Sequence, residues 1–146
     1  MLWLVHHAAA AASDLDAQRP LTAEGRAHAA RLARLAAERG VKPAAIWHSG
    51  KLRARQTAEA FWRECNPLAE FAAIRGLQPD DPPDRIADLL LGESRDVMLV
   101  GHMPSLPRIY ELLTRRADRP VAEFPQHGVV ALTREEGGWK EVWRRM

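Results

Sequence analysis

Two adjacent histidines, His6 and His7, close the apolar run LWLV, and His48 and His102 stand just beyond the apolar stretches AAIW and DVMLVG. Arg53 follows His48 within a few residues, and Arg19 lies in the polar stretch after His7. Neutral imidazole is a competent nucleophile and general base near neutral pH, and arginine is a permanent cation whose planar fork matches phosphoryl oxygens. Any one of these histidines is most simply structural. Together, at the ends of three apolar runs, they point to phosphoryl chemistry if the fold brings those ends to one edge. A divalent metal held by His6, His7, His102 and a loop aspartate is the competing reading, and it accounts for neither Arg19 nor Arg53.

The elements around these residues supply that edge. Leu2 to Val5 is a continuous apolar run of strand length, as in a strand covered on both faces of a parallel sheet. Thr22 caps a predicted helix running to about Arg39, with Ala29, Leu32 and Ala36 as its apolar stripe and Gly40 ending it. AAIWHS reads as a second strand. From Lys51 to Cys65, Ala54, Ala58, Phe61 and Cys65 recur at helical spacing, which puts Arg53 and Gln56 off the buried stripe. LAEFAAI is a weaker strand, PDDPPDRIADLLLG a loop opening a short helix, and DVMLVGHMP the clearest strand. A helix from about Ser105 to Arg115 follows, then a terminal hairpin of GVVALTR and WKEVWRR in which Trp139 and Trp143 pack. Alternating strands and helices predict a three-layer α/β/α fold with a mainly parallel central sheet, whose ligands bind beyond the carboxyl ends of the strands.

The bounds agree. The chain has 146 residues, 47% of them hydrophobic, enough for one domain over residues 1–146 with its own core. A formal net charge of +2 argues against nucleic acid as a partner. The single cysteine, Cys65, excludes an internal disulfide and fits a reducing, cytoplasmic setting. MLWLV lacks a basic leader and is far shorter than the roughly 20 residues a membrane span requires, so no membrane partner is expected. His28, mid-helix, is expected to face solvent, and His48 to be structural.

Four segments in order resemble the histidine phosphatase superfamily, with its phosphoglycerate mutase-like fold, and within it the small SixA-type phosphohistidine phosphatases. LWLVHHA is similar to the family's strand ending in Arg-His-Gly or Arg-His-Ala; RPLTAEG to its Arg-x-Leu-Thr-x-x-Gly; HSGKLRARQTAEAF to its Ser-x-x-x-Arg-Ala-x-Gln-Thr-Ala; LVGHMPSL to its Gly-His-x-Pro. The resemblance spans nearly the whole chain. It implies His7 as the nucleophile that becomes phosphorylated, Arg53 and Arg19 as clamps on the phosphoryl oxygens, and His102 touching the same group, with neither metal nor other cofactor.

The chain departs from the pattern in three places. His6 stands where the family has arginine, which predicts weaker phosphate affinity. A bound dianion would then stabilise protonated His6 and tilt activity toward acid pH; alternatively, the chain is a low-activity or noncatalytic phospho-ligand-binding member of the fold. Ala9 stands where many relatives have an acidic residue. Where the family often supplies a carboxylate as general acid, Gly76 and Gln78 stand, leaving Asp80 and Asp81 as candidate acids that also read as a capping cluster. His127 is a further pocket candidate if the start of the GVVAL strand borders the site. An alcohol leaves badly without a proton, whereas phosphohistidine leaves through a weak P–N bond, so the expected substrate is a phosphorylated protein carrying phosphohistidine rather than a small phosphomonoester.

Overall fold

The computed structural model describes residues 1–115 and 123–146. Its strands and helices alternate: β1 (Leu2–His6), α1 (Ala23–Glu38), β2 (Ala45–His48), α2 (Leu52–Cys65), β3 (Glu70–Ala73), α3 (Asp84–Leu91), β4 (Val97–Gly101), α4 (Ser105–Thr114), β5 (Val129–Glu135) and β6 (Gly138–Arg145). The strands form one sheet in the order β3-β2-β4-β1-β5-β6. β3, β2, β4 and β1 run parallel, and β5 and β6 complete the sheet antiparallel. This is the expected three-layer, mainly parallel architecture.

The apolar runs are strands because both of their faces are buried. Trp3, Val5, Ile46, Met98 and Val100 point to the layer of α1 and α2, while Leu2, Leu4, Ala45, Trp47, Val97 and Leu99 point to that of α3 and α4. Alternation along a strand sends successive side chains to opposite faces, so an unbroken apolar run needs cover on both. The hairpin adds a refinement. A register shift beside Ala131 and Leu132 in β5 puts Trp139 in the core under α4 and Trp143 against the core under α1. Four residues apart on a regular strand, they would share a face; the bulge separates them.

α1 begins as expected, with Thr22 Oγ1 accepting from the Gly25 backbone N–H at 2.9 Å, and Gly40 follows it at φ +83°. Gly25 is fixed by packing: a Cβ there would lie 2.1 Å from the carbonyl oxygen of Ala9, on the segment that leaves His7.

Two helical positions differ from the sequence expectation. Arg53 is only 5% exposed, and Gln56 is half-buried with its Oε1 accepting from Leu21 N at 2.8 Å. Both lie off the apolar stripe, but the chain between His7 and α1 covers that flank of α2. His28 does not face solvent freely either: it is half-buried, with Nε2 3.0 Å from the carbonyl oxygen of His127.

Candidate active site

The carboxyl ends of β1, β2 and β4 lie side by side, with His6 paired to Gly101 and His48 to Val100. His7 follows β1 with its backbone N–H donating to Gly101 O at 3.1 Å, and His102 follows β4 where α4 begins. Adjacent parallel strands therefore bring residues almost a hundred positions apart into ring contact, with 5.0 Å between the centroids of His7 and His102. His6 lies 4.5 Å from His7, and His127, from the segment that enters β5, stacks on His6 at 4.8 Å with an interplanar angle of 7°. Four of the six histidines form one cluster.

Hydrogen bonds fix how these rings are protonated. His7 Nδ1 lies 2.7 Å from the carbonyl oxygen of Ala8, so Nδ1 carries the proton and Nε2 the lone pair. His6 is the opposite tautomer: its Nδ1 accepts from the His127 backbone N–H at 2.8 Å, which leaves the proton on Nε2. His127 Nδ1 donates to His7 O at 2.6 Å. His102 Nε2 is 2.6 Å from Ser49 Oγ, and its buried Nδ1 has no partner.

Cations close one side. Arg53 donates from Nη1 to Asp16 O at 2.9 Å and from Nη2 to Asp16 Oδ2 at 3.4 Å, and its buried Nε is without a partner. Lys51 pairs with the same carboxylate, and Arg19 reaches it at 3.5 Å while also donating from Nε to Ala11 O at 3.0 Å. Thr57 Oγ1 ties α2 to the segment that leaves His7 by accepting from Ala8 N at 3.0 Å and donating to Arg53 O at 2.8 Å.

The profile of the histidine phosphatase superfamily (branch 1) matches residues 2–78, more than half of the chain. The chain belongs to that superfamily. No curated protein sequence matches it. A SixA protein of Agrobacterium tumefaciens, described as a phosphohistidine phosphatase, shares 26% identity over 99% of this chain and 96% of its own, with a TM-score of 0.85. The protein histidine phosphatase SixA in complex with tungstate is 21% identical over 98% of this chain and 94% of its own, at TM-score 0.86. A phosphoserine phosphatase variant of Entamoeba histolytica bound to phosphoserine is 13% identical over 98% and 95%, at TM-score 0.74. The last two likenesses are ones of fold alone.

This histidine phosphatase keeps its cluster uncharged. Burial above all, then His7, His127 and Arg53, pushes His6 down to about 3. His7 falls to about 4, chiefly by burial, against the opposing pull of its bond to Ala8 O, with Arg53, His127 and Arg19 adding to the fall. His102 falls to about 3 by burial, His7, Arg53, Lys51 and His6. Before any dianion binds, protonation of His6 would put a second donor on Nδ1 facing the His127 N–H, which opposes the charged form that the expected acid tilt requires. Asp16 is lowered as well: held first by Lys51, then by Arg53 and Arg19 against the opposing effect of desolvation, its carboxyl sits at about 2 and stays ionised.

Ligand atoms of His6, His7 and His127 lie within 4.8 Å of one another, the one group of metal-ligand type among the described residues. The tautomers leave only His7 and His127 with a lone pair on Nε2, because that of His6 Nδ1 is engaged; two free ligands are short of the three or four a zinc site uses.

Of the sequence candidates, His6, His7, His102, His127 and Arg53 gather here, and Arg19 joins through Asp16. Asp80 is exposed, and Asp81 accepts from Gln78 N at 2.9 Å, a turn-capping contact. His48 is buried, caps the turn after β2 through Nδ1 to Gly50 N at 3.0 Å, and lies 5.0 Å from the ring of Phe71. Sequence reasoning missed Asp16, Lys51 and the Ser49–His102 contact. Lys51 and Ser49 lie within the quoted motif around Arg53, but Asp16 carries no signal beyond its place three residues before Arg19. None of the described helices is long and apolar enough to cross a membrane.

Proposed function

We propose that this histidine phosphatase removes phosphoryl groups from protein phosphohistidine by way of a phospho-His7 intermediate, in the cytoplasm. The observation that carries the reading is the 2.7 Å contact of His7 Nδ1 with Ala8 O, which leaves an unprotonated Nε2 in a cluster flanked by Arg53 and Arg19. In the first step Nε2 attacks phosphorus, a new P–N bond forms, and the bond to the substrate imidazole breaks as that imidazole takes a proton from solvent water. In the second, water attacks phospho-His7, the P–N bond breaks, and hydrogen phosphate and the neutral ring are released with one proton returned to solvent. Arg53 and Arg19 bind the phosphoryl oxygens, His6 donates from Nε2, and His102 contacts the same group, matching charge as it moves between attacking and leaving atoms.

Phosphohistidine is favoured over a phosphomonoester by what stands where an acid would be needed. Gln78 donates from Nε2 to Ser49 O at 2.6 Å, and Asp81 is committed to its own turn. A site that offers an amide rather than a carboxylic acid suits a leaving group that departs readily, as an imidazole does. The two SixA proteins also match 99% and 98% of this chain over 96% and 94% of their own.

The test compares wild type with His7→Ala on a phosphohistidine-bearing carrier protein and on p-nitrophenyl phosphate. Wild type is expected to dephosphorylate the carrier faster, and His7→Ala to stay folded by circular dichroism and lose both activities. Faster release from the monoester, or full activity in His7→Ala, overturns the proposal. Phosphate binding that raises the melting temperature without any turnover supports the noncatalytic alternative.

A further inference from the structure

His6 and His127 both deserve explanation beyond their presence in the cluster, because a histidine replaces the family's arginine and another residue of the same type stacks on it. His127 has φ +54°, a left-handed conformation uncommon for a residue with a Cβ, although histidine visits it more readily than most. Three contacts hold it there. Its Nδ1 donates to His7 O at 2.6 Å, its carbonyl accepts from His28 Nε2 on α1 at 3.0 Å, and the following Gly128 is packed so closely that a Cβ would lie 2.4 Å from Arg145 O. The product of this geometry is a backbone N–H aimed at His6 Nδ1 from 2.8 Å.

A neutral imidazole has one donor and one acceptor nitrogen. An N–H that occupies Nδ1 fixes the acceptor there and the proton on Nε2. We propose that His127 is a positioning residue, steadied by His28, that locks His6 as a neutral Nε2–H donor to the phosphoryl group, so that a hydrogen bond takes the place of the family's guanidinium charge. This rests on the proposed function, since it assumes that His6 faces the phosphoryl group. The titratable or charged groups that face His6 are His7 just after its strand, His127 before β5, Arg53 on α2 and His102 after β4; burial first, then His7, His127 and Arg53, oppose its protonation.

The experiment has a spectroscopic arm and a kinetic arm. Nitrogen-resolved NMR of the imidazoles in wild type is expected to show His6 protonated only at Nε2 at pH 7 and still neutral at pH 5. In His127→Val, which lacks the Nδ1 donor to His7 O and, being β-branched, resists the left-handed conformation that aims the backbone N–H, His6 is expected to begin protonating above pH 5. KM for the phosphohistidine carrier should rise about tenfold, the scale of one neutral hydrogen bond, with a smaller change in kcat. His28→Leu should shift both readouts in the same direction, and His28→Gln, which keeps an N–H donor, should restore them. These two variants decide the question if His127→Val does not fold.

An Nδ1-protonated or charged His6 at pH 5 in wild type overturns the inference. So does an unchanged KM in His127→Val, or His28→Gln behaving like His28→Leu. Absence of wild-type turnover on the carrier with the predicted NMR result refutes the proposed function while leaving the tautomer lock standing.

Discussion

Replacing Arg53 with methionine should separate what this residue does for activity from what it does for stability. The side chain is 6% exposed and faces a carboxylate, Asp16, that is 55% exposed and also held by Lys51 and Arg19. What Arg53 gains is one good hydrogen bond, to Asp16 O at 2.9 Å, worth about 1 kcal/mol net, and a long contact at 3.4 Å. Against this stand a buried Nε with no partner, a cost of about 1–3 kcal/mol, and the burial of a charge next to other cations. Replacing a whole buried ion pair by apolar groups is often neutral or stabilising by about 1–4 kcal/mol, and removing one partner is costly when it strands a buried charge; Asp16 is instead 55% exposed and keeps two cationic partners when Arg53 is removed. The expected result is a variant more stable by about 1 kcal/mol, a rise of roughly 2–4 °C in melting temperature for a chain of this size. Turnover should fall by about 10²–10³, the loss that follows removal of a donor matched to transition-state charge. Thermal melts in phosphate-free buffer and assays on a phosphohistidine carrier check both. A melting temperature more than 5 °C lower would show Arg53 to be a structural residue and refute the reasoning; unchanged turnover in a stabilised variant would remove it from the clamp.

Three other outcomes are expected. Because the folded values of His6, His7 and His102 lie below the ordinary imidazole value of 6.5, the unfolded chain takes up more protons as pH falls; stability is greatest above 6.5 and declines toward about 3. A melting temperature that rises between pH 7 and pH 5 would contradict this, and kcat/KM should show no loss of the His7 nucleophile until pH nears 4, in contrast to a limb near 6.5 for an exposed imidazole. Thr57→Val strips the Ala8 N–H of its buried acceptor and should cost about 1–3 kcal/mol in chemical denaturation, with lower turnover because Ala8 O orients His7; a cost below about 0.5 kcal/mol would dismiss the contact. Gly25→Ala drives a methyl to 2.1 Å from Ala9 O and should destabilise by about 1–3 kcal/mol or more while lowering turnover, whereas a wild-type melting curve would mean that the segment after His7 yields freely.

Much of the fold was legible because burial imposes periodicity on the chain. The unbroken apolar runs at β1 and β4 could only be strands covered on both faces, and the Thr22 cap and Gly40 stop marked α1 at both ends. His7, His102 and Arg53 were legible for a related reason: parallel strands end at one edge, so polar residues just past three apolar runs must meet. Arg53 was nevertheless expected off the buried stripe, and its burial comes from the segment carrying Asp16, which no helical periodicity describes.

The sequence by itself determined the three-layer architecture, the edge at which the histidines gather and the residue types available there, because these follow from side-chain period and the parallel direction of the strands. Only the tertiary structure decided the protonation of the cluster. His6 is a neutral donor because His127, more than a hundred residues away, turns its N–H onto one ring nitrogen, and Asp16 serves three cations because a loop folds back on α2. A tautomer is set by distances of a few ångströms between groups that no local pattern links, so it is written in the packing and not in the order of residues.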